Sequence, residues 1–527
     1  MASRRSSRVD GQRNFTRRTF LKMAAGAGTT LLVSASSPAA TAAPAKGDSD
    51  LTLTIVDSLE PNSLDPPVGT DQFGHPIYAM YDGLVQFTLK GDIVPKLATS
   101  WVVGPDKLTW TFKLRPNVKF HDGTPFNSEA VKFSLERIMG DPKVRATRKA
   151  SYAFLDIIET PDPLTVKIKS KQPYPDLPSM MADRSSMMVS PAAAKDAVAF
   201  GRNPVGTGPF KFVEWRSKER VVMEAFPDYW GDKPKIKQFV FRAVTEGATR
   251  SALLRTGEAD IVLNIPVQDI VALKADPNVV VEIIPTLTMS IPQWSVKAGP
   301  FKDVRVRKAA NLAVNRQEIL QKVLGGAGVI PRSSISQGIW GAVELPPMPY
   351  DPAEAKKLLA AAGYPNGFKG TYSYVKREET LHQASIGYLK AVGIDMQAKV
   401  VEQPERLVLL AQEPEKYPGD IVEVTRTGQF ISYLMERIYL CREANAPAAQ
   451  RSGYCNPAVD EALNKGGTSF DQNERLKAYA EAQKLLWEDY ALFWLIGLSM
   501  PIGYRKGVSG FVVLPSREVL VAGVSKS

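Results

Sequence analysis

The sequence predicts lobes of the α/β or α+β class, and three observations support this prediction. Apolar and polar residues alternate at 51–55 and 108–114, a pattern typical of half-buried strands. Helix-start signals also occur, as at Asp351-Pro352, where a capping residue precedes a first-turn proline. The chain of 527 residues is roughly three times as long as one domain of ~150 residues, and it shows no internal repeat. Strands and helices are therefore expected to mix within the lobes.

The first 45 residues have the three-part layout of an export signal. Arg17-Arg18 precedes Phe20, a weakly apolar Ala/Gly-rich run covers 23–34, and small-x-small cleavage sites follow near Ala42. The paired arginines resemble a twin-arginine signal, and an ordinary secretory signal with chance arginines is the alternative. We expect a soluble protein exported to the periplasm, without a lipid anchor because no cysteine lies near the cleavage region.

Further strands are predicted at 164–168, 239–244 and 279–284 from the same kind of pattern. Proline-rich sequence at 173–191 interrupts the alternation of apolar and polar residues. The apolar run 492–498 is too short to span a membrane, so we expect it in the core.

Helices are predicted where capping residues precede apolar residues at helical spacing. One is expected to begin near residue 129 after Asn127 or Ser128, and a long one to begin after Asp471. Another helical stretch is predicted from 305 to 324, where Gly325-Gly326 ends it.

The composition excludes several classes of function. The net charge is +11, and the first 45 residues hold seven basic residues and one acidic residue, so the mildly basic body requires no nucleic-acid partner. Three histidines and two cysteines make a His- or Cys-rich metal site improbable. Nucleophile elbows and phosphate-binding glycine loops are absent, and His121-Asp122 is interpreted as a turn. We therefore expect no catalytic residue, no metal and no cofactor.

Cys441 and Cys455 lie in a polar loop rich in Ala, Asn, Gly and Ser. In an oxidising compartment we predict one disulfide between them, worth about 3 kcal/mol from loop entropy. Two separate thiols are the alternative.

Seven groups of short motifs, in order along the chain, together resemble the extracellular solute-binding proteins of ABC importers, the class (family 5) that takes oligopeptides, dipeptides and nickel chelates. The motifs are 63–66 (Ser-Leu-Asp-Pro) with 81–85 (Tyr-Asp-Gly-Leu-Val), 95–101 leading into 110–123, 204–210 (Pro-Val-Gly-Thr-Gly-Pro-Phe) with 228–230, 257–261, 300–309, 350–352 through 362–365, and 453–457 with Asp460. Each motif alone is weak, and the ordered set is specific.

The resemblance implies two lobes joined by crossover strands, with the ligand enclosed between them and an extra domain inserted near the N-terminus. The first lobe would combine 46–90, 205–285 and 498–527, the inserted domain would cover 91–204, and the second lobe 286–497. The implied function is capture of a solute by hinge closure and delivery to a membrane permease, without catalysis, by a monomer.

The resemblance also implies where the ligand binds. Peptide-binding relatives carry a Trp-x-x-Asp-like segment whose aspartate meets the peptide ammonium. Here Arg426 stands at the tryptophan position, and Gln429 and Ser432 stand at the acidic positions, with Phe430 between them. A peptide with a free amino end is therefore disfavoured, unless Asp420 or Glu423 supplies the carboxylate.

Arg426 instead favours an anionic solute, because a guanidinium binds carboxylate or phosphate bidentately. An opine, a modified amino acid, a short acidic peptide or a sugar phosphate would fit. The alternative is a structural ion pair of Arg426 with Glu423 or Glu436.

Five further residues are candidates for the ligand cleft: Trp294, Ser295, Trp340, Phe73 and His75. The tryptophans would form flat amphipathic walls, with core packing as the alternative.

Two other functions remain open at this point. One is an exported enzyme or cofactor-carrying protein, which would show turnover or bound cofactor. The other is a receptor or chaperone that uses the same fold to bind a partner protein.

Overall fold

The computed structural model describes residues 51–68, 74–144, 149–416, 419–441 and 452–527. The predicted export signal and Phe73 lie outside the described residues. Within those ranges, none of the helices combines the length and the apolar character needed to cross a bilayer.

The largest sheet has nine strands and forms what we name the large-sheet lobe. Thr52–Asp57 lies in its middle and runs parallel to both neighbours, Gln238–Ala243 and Ile261–Leu263. The order across the sheet is Thr425–Thr427, Val279–Ser290, Ile496–Arg505, Ile261–Leu263, Thr52–Asp57, Gln238–Ala243, Arg220–Ala225 and Phe210–Arg216, with Gly328–Val329 beside Ile496–Arg505.

Two four-stranded sheets form the other bodies. The mixed-sheet lobe has the order Gln293–Trp294, Ile421–Val422, Phe368–Val375 and Ile394–Val401. The antiparallel module has the order Ala98–Val103, Thr109–Leu114, Thr165–Ser170 and Leu155–Asp162. Three strand pairs complete the set: Val85–Phe87 with Ile93–Pro95, Val508–Ser509 with Ser525–Lys526, and Val512–Val513 with Val519–Leu520.

Helices cover the sheets on all three bodies. Those of seven or more residues are Gly74–Met80, Ser128–Gly140, Gly247–Thr256, Val304–Leu312, Pro352–Ala361, Glu379–Ala391, Gln403–Leu409, Ile431–Tyr439, Pro457–Thr468 and Gln472–Glu488. Shorter α-helical segments are Leu177–Met181, Ala197–Phe200, Ile270–Lys274 and Arg316–Glu318.

The predicted caps are confirmed. Asn127 accepts a hydrogen bond from the Ala130 amide, and Asp351 and Asp471 accept amide hydrogen bonds from the first turns of their own helices. These bonds satisfy amide groups that a helix start otherwise leaves without partners.

The helical stretch predicted from 305 to 324 is present, but it is divided into two segments. The structure has a helix at Val304–Leu312, and Arg316–Glu318 begins a second segment that continues as a π-helix, Ile319–Val323. Asn315 causes the break, because its side chain caps a new helix by accepting a hydrogen bond from the Glu318 amide.

Two long antiparallel strands, Val279–Ser290 and Ile496–Arg505, connect the lobes. They pair from Val279–Arg505 to Ser290–Ile496, with an irregularity between Pro285 and Thr288. One end lies within the large sheet, and the chain beyond Ser290 continues into the mixed-sheet lobe at Gln293–Trp294. These are crossover strands between two lobes.

Several of the sequence motifs meet at one buried point in the large-sheet lobe. Asp82 accepts hydrogen bonds from Thr207 Oγ1 (3.1 Å) and Trp230 Nε1 (3.0 Å) and pairs with Lys96 (3.2 Å). The backbone of Gly208 lies so close to the helix Gly74–Met80 that an added Cβ would be 2.5 Å from Met80. These motifs therefore hold the fold together.

His121 fixes the same loop. Its Nε2 donates to the Gly208 carbonyl (3.0 Å), and its Nδ1 accepts from the Gly206 amide (3.3 Å). This arrangement requires the neutral imidazole, and burial lowers the pKa of His121 to about 4.

Cys441 and Cys455 form a disulfide, with an S–S distance of 2.14 Å. It closes the loop that leads from helix Ile431–Tyr439 to helix Pro457–Thr468.

The neutral His121 predicts a loss of stability in mild acid. The unfolded chain takes up a proton near pH 6.5 but the folded chain only near pH 4, so this histidine costs about 2 kcal/mol between pH 7 and pH 5. His121→Gln keeps a donor and an acceptor and should remove that part of the pH dependence. Urea unfolding of both proteins at pH 7 and at pH 5 measures the change in the free energy of unfolding. An equal change in both proteins would contradict the assignment of a neutral imidazole to His121.

The disulfide predicts a second effect on stability. Cys441→Ser with Cys455→Ser should lower the free energy of unfolding by about 3 kcal/mol, because the closed loop restricts the unfolded chain. Denaturant unfolding measures the difference. Reduced wild-type protein is the control and should match the double variant.

Candidate functional site

A cavity of about 370 Å³ lies between the antiparallel module and the part of the chain that follows the crossover strand. Aromatic side chains dominate its walls: Phe87, Trp101, Trp110, Trp340 and Phe430. Phe87 stacks on Phe430 with ring centroids 6.4 Å apart, which joins the two sides of the cavity. The volume and lining suit a small organic molecule.

An ion pair links the two sides of this cavity. Asp176, which follows the antiparallel module, lies 2.6 Å from Arg475 on the helix Gln472–Glu488. Both side chains are about nine-tenths buried. The Arg475 guanidinium also lies 4.8 Å from the Trp340 ring, in a cation–π contact. The pair therefore holds the two sides of the cavity together and orients Trp340.

A second, much smaller cavity adjoins the first, because Gln429 and Ser516 line both. Its volume is about 20 Å³, which is room for one group of the size of a water molecule. Its walls are mainly polar: Tyr78, Asp183, Arg184, Thr427, Gly428, Gln429, Tyr433, Ser516 and Glu518.

The C-terminal hairpin, Val512–Val513 with Val519–Leu520, brings Ser516 and Glu518 to this cavity. Its turn is closed by hydrogen bonds between Leu514 and Glu518 (2.8 Å) and between Arg517 and Leu514 (2.7 Å). The crossover strand holds the turn through a hydrogen bond from the Leu287 amide to the Pro515 carbonyl (2.8 Å). Gln429 Nε2 donates to Ser516 Oγ across the small cavity.

The acceptor side chains of the small cavity have donors beside them: Tyr78 hydrogen-bonds to the Gln429 side chain, and Ser516 hydrogen-bonds to the Glu518 carboxylate. Burial raises the pKa of Glu518, and a hydrogen bond from Ser516 opposes that change. Burial also raises the pKa of the Tyr78 hydroxyl, and the neighbouring Glu518 adds to the effect. These acceptors therefore already have donors within the protein.

A third cavity of about 460 Å³ lies beside the turn of the hairpin and carries charges of both signs. Asp57, Arg377, Glu378 and Arg517 are among its wall residues. One N–H of Arg517 donates to Asn264 Oδ1 (2.7 Å). Burial lowers the pKa of Arg517, and nearby Asp57 opposes the shift.

Three of the residues predicted from the sequence line the cavities. Trp340 and Phe430 lie on the wall of the larger one, and Gln429 lies between the larger and the small cavity. Gly428 allows this placement, because an added Cβ would be 2.3 Å from the side chain of Leu434.

The other predicted residues lie elsewhere. Trp294 is fully buried between Phe301 and Phe493, with ring centroids 4.8 and 5.6 Å away, so it packs the core of the mixed-sheet lobe. Ser295 is fully buried and accepts amide hydrogen bonds within its own turn.

His75 and Arg426 also lie away from the walls of these cavities. His75 Nε2 lies 3.2 Å from Asp57, and its Nδ1 accepts from the Val519 amide (3.2 Å), so it supports the C-terminal hairpin from behind. Arg426 lies in the edge strand Thr425–Thr427, paired in register with Met289. Phe73 lies outside the described residues.

Most wall residues were not predicted, among them Asp176, Arg475, Ser516 and Glu518. The proline-rich segment around Asp176 shows no periodicity, and Arg475 follows a helix start like many surface arginines. The residues 515–518, which lie between two short β-branched segments, are typical of a turn. This pattern does not show which part of the protein the turn contacts.

Glu378, His382 and Glu423 present ligand-type atoms within 4.8 Å of one another. Each already has protein partners: Arg406 lies 3.0 Å from Glu423, and the Tyr372 hydroxyl lies 3.0 Å from His382 Nδ1. Thr425 Oγ1 lies 2.9 Å from Glu378 and 2.8 Å from Glu423, so its hydroxyl hydrogen can be donated to either carboxylate. We interpret the cluster as a buried hydrogen-bond network and assign no metal to it.

The fold and the interlobe cavities define a class, the binding proteins that enclose a solute between two lobes. The family profile "Bacterial extracellular solute-binding proteins, family 5 Middle" matches residues 92–436. The chain belongs to this family, and it is a solute-binding protein of the ABC-importer type.

Known proteins resemble the chain over most of its length. The glutathione-binding protein GsiB of Pectobacterium atrosepticum is 32% identical over 467 residues, covering 86% of this chain and 90% of GsiB. The Helicobacter pylori protein DppA, solved with the peptide STSA, has a TM-score of 0.81 and 26% identity, covering 91% of this chain and 99% of DppA. AgaA from A. tumefaciens R10, solved with agropinic acid, has a TM-score of 0.79 and 28% identity, covering 90% and 99%.

The ion pair at the cavity wall predicts an effect on stability. Asp176→Asn should lower the free energy of unfolding by about 3 kcal/mol, because it leaves the buried charge of Arg475 without its partner. Asp176→Asn combined with Arg475→Met removes both charges and should destabilise less than the single change.

The matched control is Glu405→Gln, which removes a carboxylate that pairs with Lys399 at 2.9 Å on the surface. It should cost less than about 1 kcal/mol. Urea unfolding measures all three variants. An Asp176→Asn effect no larger than the control would contradict the role of the pair.

Proposed function

We propose that the protein is the exported, periplasmic component of an ABC importer, and that it captures a peptide-like organic solute by hinge closure. It would reach the periplasm through its twin-arginine signal, act as a monomer, and deliver the solute to one inner-membrane permease without changing it chemically. The proposal includes the assignment of 46–90, 205–285 and 498–527 to the first lobe, 91–204 to the inserted domain and 286–497 to the second lobe.

The observation that carries this proposal is the aromatic cavity with its polar extension. A cavity of about 370 Å³ with five aromatic residues in its walls supplies apolar contact, and Gln429 and Ser516 lead from it into a polar cavity. Peptides and amino-acid conjugates carry both kinds of surface. GsiB, DppA and AgaA, which are named for or solved with glutathione, a peptide and agropinic acid, support the same class.

We propose Arg517, in place of Arg426, as the residue that binds an anionic group of the solute. Arg517 lines the third cavity, whereas Arg426 lines none of the three described cavities. Arg517 has a positive φ of 86°, an uncommon conformation for a residue other than glycine, and Asn264 orients its guanidinium. A carboxylate of the solute could take further N–H donors of this guanidinium.

Native mass spectrometry of the purified mature protein, followed by denaturation, tests the proposed function. We expect one released small molecule per protein, of peptide or amino-acid-conjugate composition. Calorimetry with glutathione, the peptide Ser-Thr-Ser-Ala and agropinic acid then tests binding directly. Turnover of these compounds, or a stable complex with a protein other than the permease and an empty cleft, would contradict the proposal.

The anion assignment predicts different effects for two arginines. Arg517→Gln should weaken binding of a carboxylate-bearing ligand at least tenfold, which is about 1.4 kcal/mol. Arg426→Ala is the matched control and should change the affinity less than about threefold, which is well below the tenfold effect expected for Arg517→Gln. Calorimetry with the ligand released from the purified protein measures both, and the reverse order would restore Arg426 as the anchor.

A further inference from the structure

A fourth cavity, of about 290 Å³, lies beside the end of the C-terminal hairpin. Its walls come from several segments, among them 78–86 and 520–523. Gly510 and Gly523 in the wall are exposed, so the cavity opens to solvent at that end. Among the described wall residues it shares only Tyr78 with the small cavity, and it shares none with the aromatic or the charged cavity. It is therefore separate from the cavities proposed to hold the solute.

Most of the wall of this fourth cavity is apolar. Val85, Met187 and Val521 are buried in it, and Val512 and Leu520 are half-buried. The volume is room for about ten non-hydrogen atoms, if each takes the ~30 Å³ that one water molecule occupies in the liquid. A small molecule with a short apolar body fits these walls.

Lys96 brings a positive charge to the same cavity. Its ammonium group lies 3.2 Å from Asp82 Oδ1 and donates to the Tyr229 hydroxyl oxygen at 3.1 Å. Burial lowers the pKa of Lys96, but Asp82 and Tyr229 together raise it above its ordinary value, so the ammonium group keeps its charge. An ammonium group has three N–H donors, and one of them remains for a further acceptor.

Tyr229 supplies a second donor next to the first. Its side chain is buried, and in the described part of the chain its hydroxyl hydrogen is donated to no acceptor. Burial raises the pKa of Tyr229 to about 12, so the hydroxyl group stays protonated at neutral pH. Because this hydroxyl lies 3.1 Å from Lys96 Nζ, both groups can donate to one acceptor.

The charges around this end of the cavity favour an anion. Asp82 is the one carboxylate among the described wall residues, and Thr207 and Trp230 already donate to its Oδ2 at 3.1 and 3.0 Å. Lys96 and Arg115 both lie over the Trp230 ring, 5.1 and 4.4 Å from its centroid. Two positive charges therefore stand beside one buried carboxylate, and a bound monoanion would balance them.

We propose that the fourth cavity is a second ligand site, which binds a small organic carboxylate with an aliphatic chain of about six carbons. Lys96 Nζ and the Tyr229 hydroxyl donate to the carboxylate, and the chain lies against Val85, Met187 and Val521. The inference goes beyond the proposed function, because this site binds its ligand outside the cavities between the lobes.

Calorimetry with hexanoate and hexanamide tests the requirement for a charge. The two compounds have the same chain, but only hexanoate is an anion. We expect the mature wild-type protein to bind hexanoate at least tenfold more tightly than hexanamide. Equal affinities, or no binding of hexanoate up to about 10 mM, would overturn the site.

Variants assign the binding to this cavity. Lys96→Met removes the ammonium group and keeps an apolar side chain, so it should weaken hexanoate binding at least tenfold and change hexanamide binding less than about threefold. Lys399→Met removes a lysine that pairs with Glu405 at 2.9 Å elsewhere on the protein, and this matched control should behave as the wild type. An unchanged affinity of Lys96→Met for hexanoate would overturn the assignment.

A milder change keeps the proposal testable if Lys96→Met does not fold. Tyr229→Phe removes only the hydroxyl donor and should weaken hexanoate binding about threefold, as expected for one hydrogen bond. An unchanged affinity for hexanoate in this variant would also contradict the site.

Wild-type crystals soaked in the ω-bromo derivative of hexanoate locate the ligand directly. Anomalous scattering from bromine beside Met187 and Val521, with the carboxylate at Lys96, supports the site. Bromine found only in the cavities between the lobes would overturn it and leave the proposed function standing.

Discussion

The antiparallel pairing of Val279–Ser290 with Ile496–Arg505 is the constraint on which the rest of the structure depends. These strands lie in the large sheet at one end and lead into the mixed-sheet lobe at the other. Consecutive residues of a strand face opposite sides, so Leu287 lines the aromatic cavity while Thr286 lines the charged one. The Leu287 amide also holds the C-terminal hairpin through Pro515. The connection between the lobes therefore also positions the binding site.

Binding between two lobes requires a balance between polar and apolar burial. The aromatic walls gain free energy when water leaves the cleft, but each polar group enclosed with them must find a partner. The protein satisfies most of these groups itself, as in the Asp176–Arg475 pair and the Gln429–Ser516 hydrogen bond.

Much of the fold could be predicted from local patterns. Alternation located the strand Thr109–Leu114, and the capping residues Asn127, Asp351 and Asp471 located three helix starts. The helical stretch predicted over 305–324 is divided, because Asn315 caps a new helical segment after the helix Val304–Leu312 ends. The site was predicted less completely. Trp294 and Trp340 are equal candidates for the cleft by residue type. Only the contacts of Trp294 with Phe301 and Phe493 show that Trp294 lies in the core.

The sequence by itself determined the lobed α/β class, the family and the absence of a recognisable catalytic motif, because ordered motifs and periodicity are local properties of the chain. The tertiary structure alone decided which residues share a cavity. Gln429 and Ser516 are far apart in the chain, and Ser516 meets Gln429 because the crossover strand holds the C-terminal hairpin through Leu287 and Pro515. Any segment that folds against a cavity can complete its wall, and no local pattern of the chain records that contact.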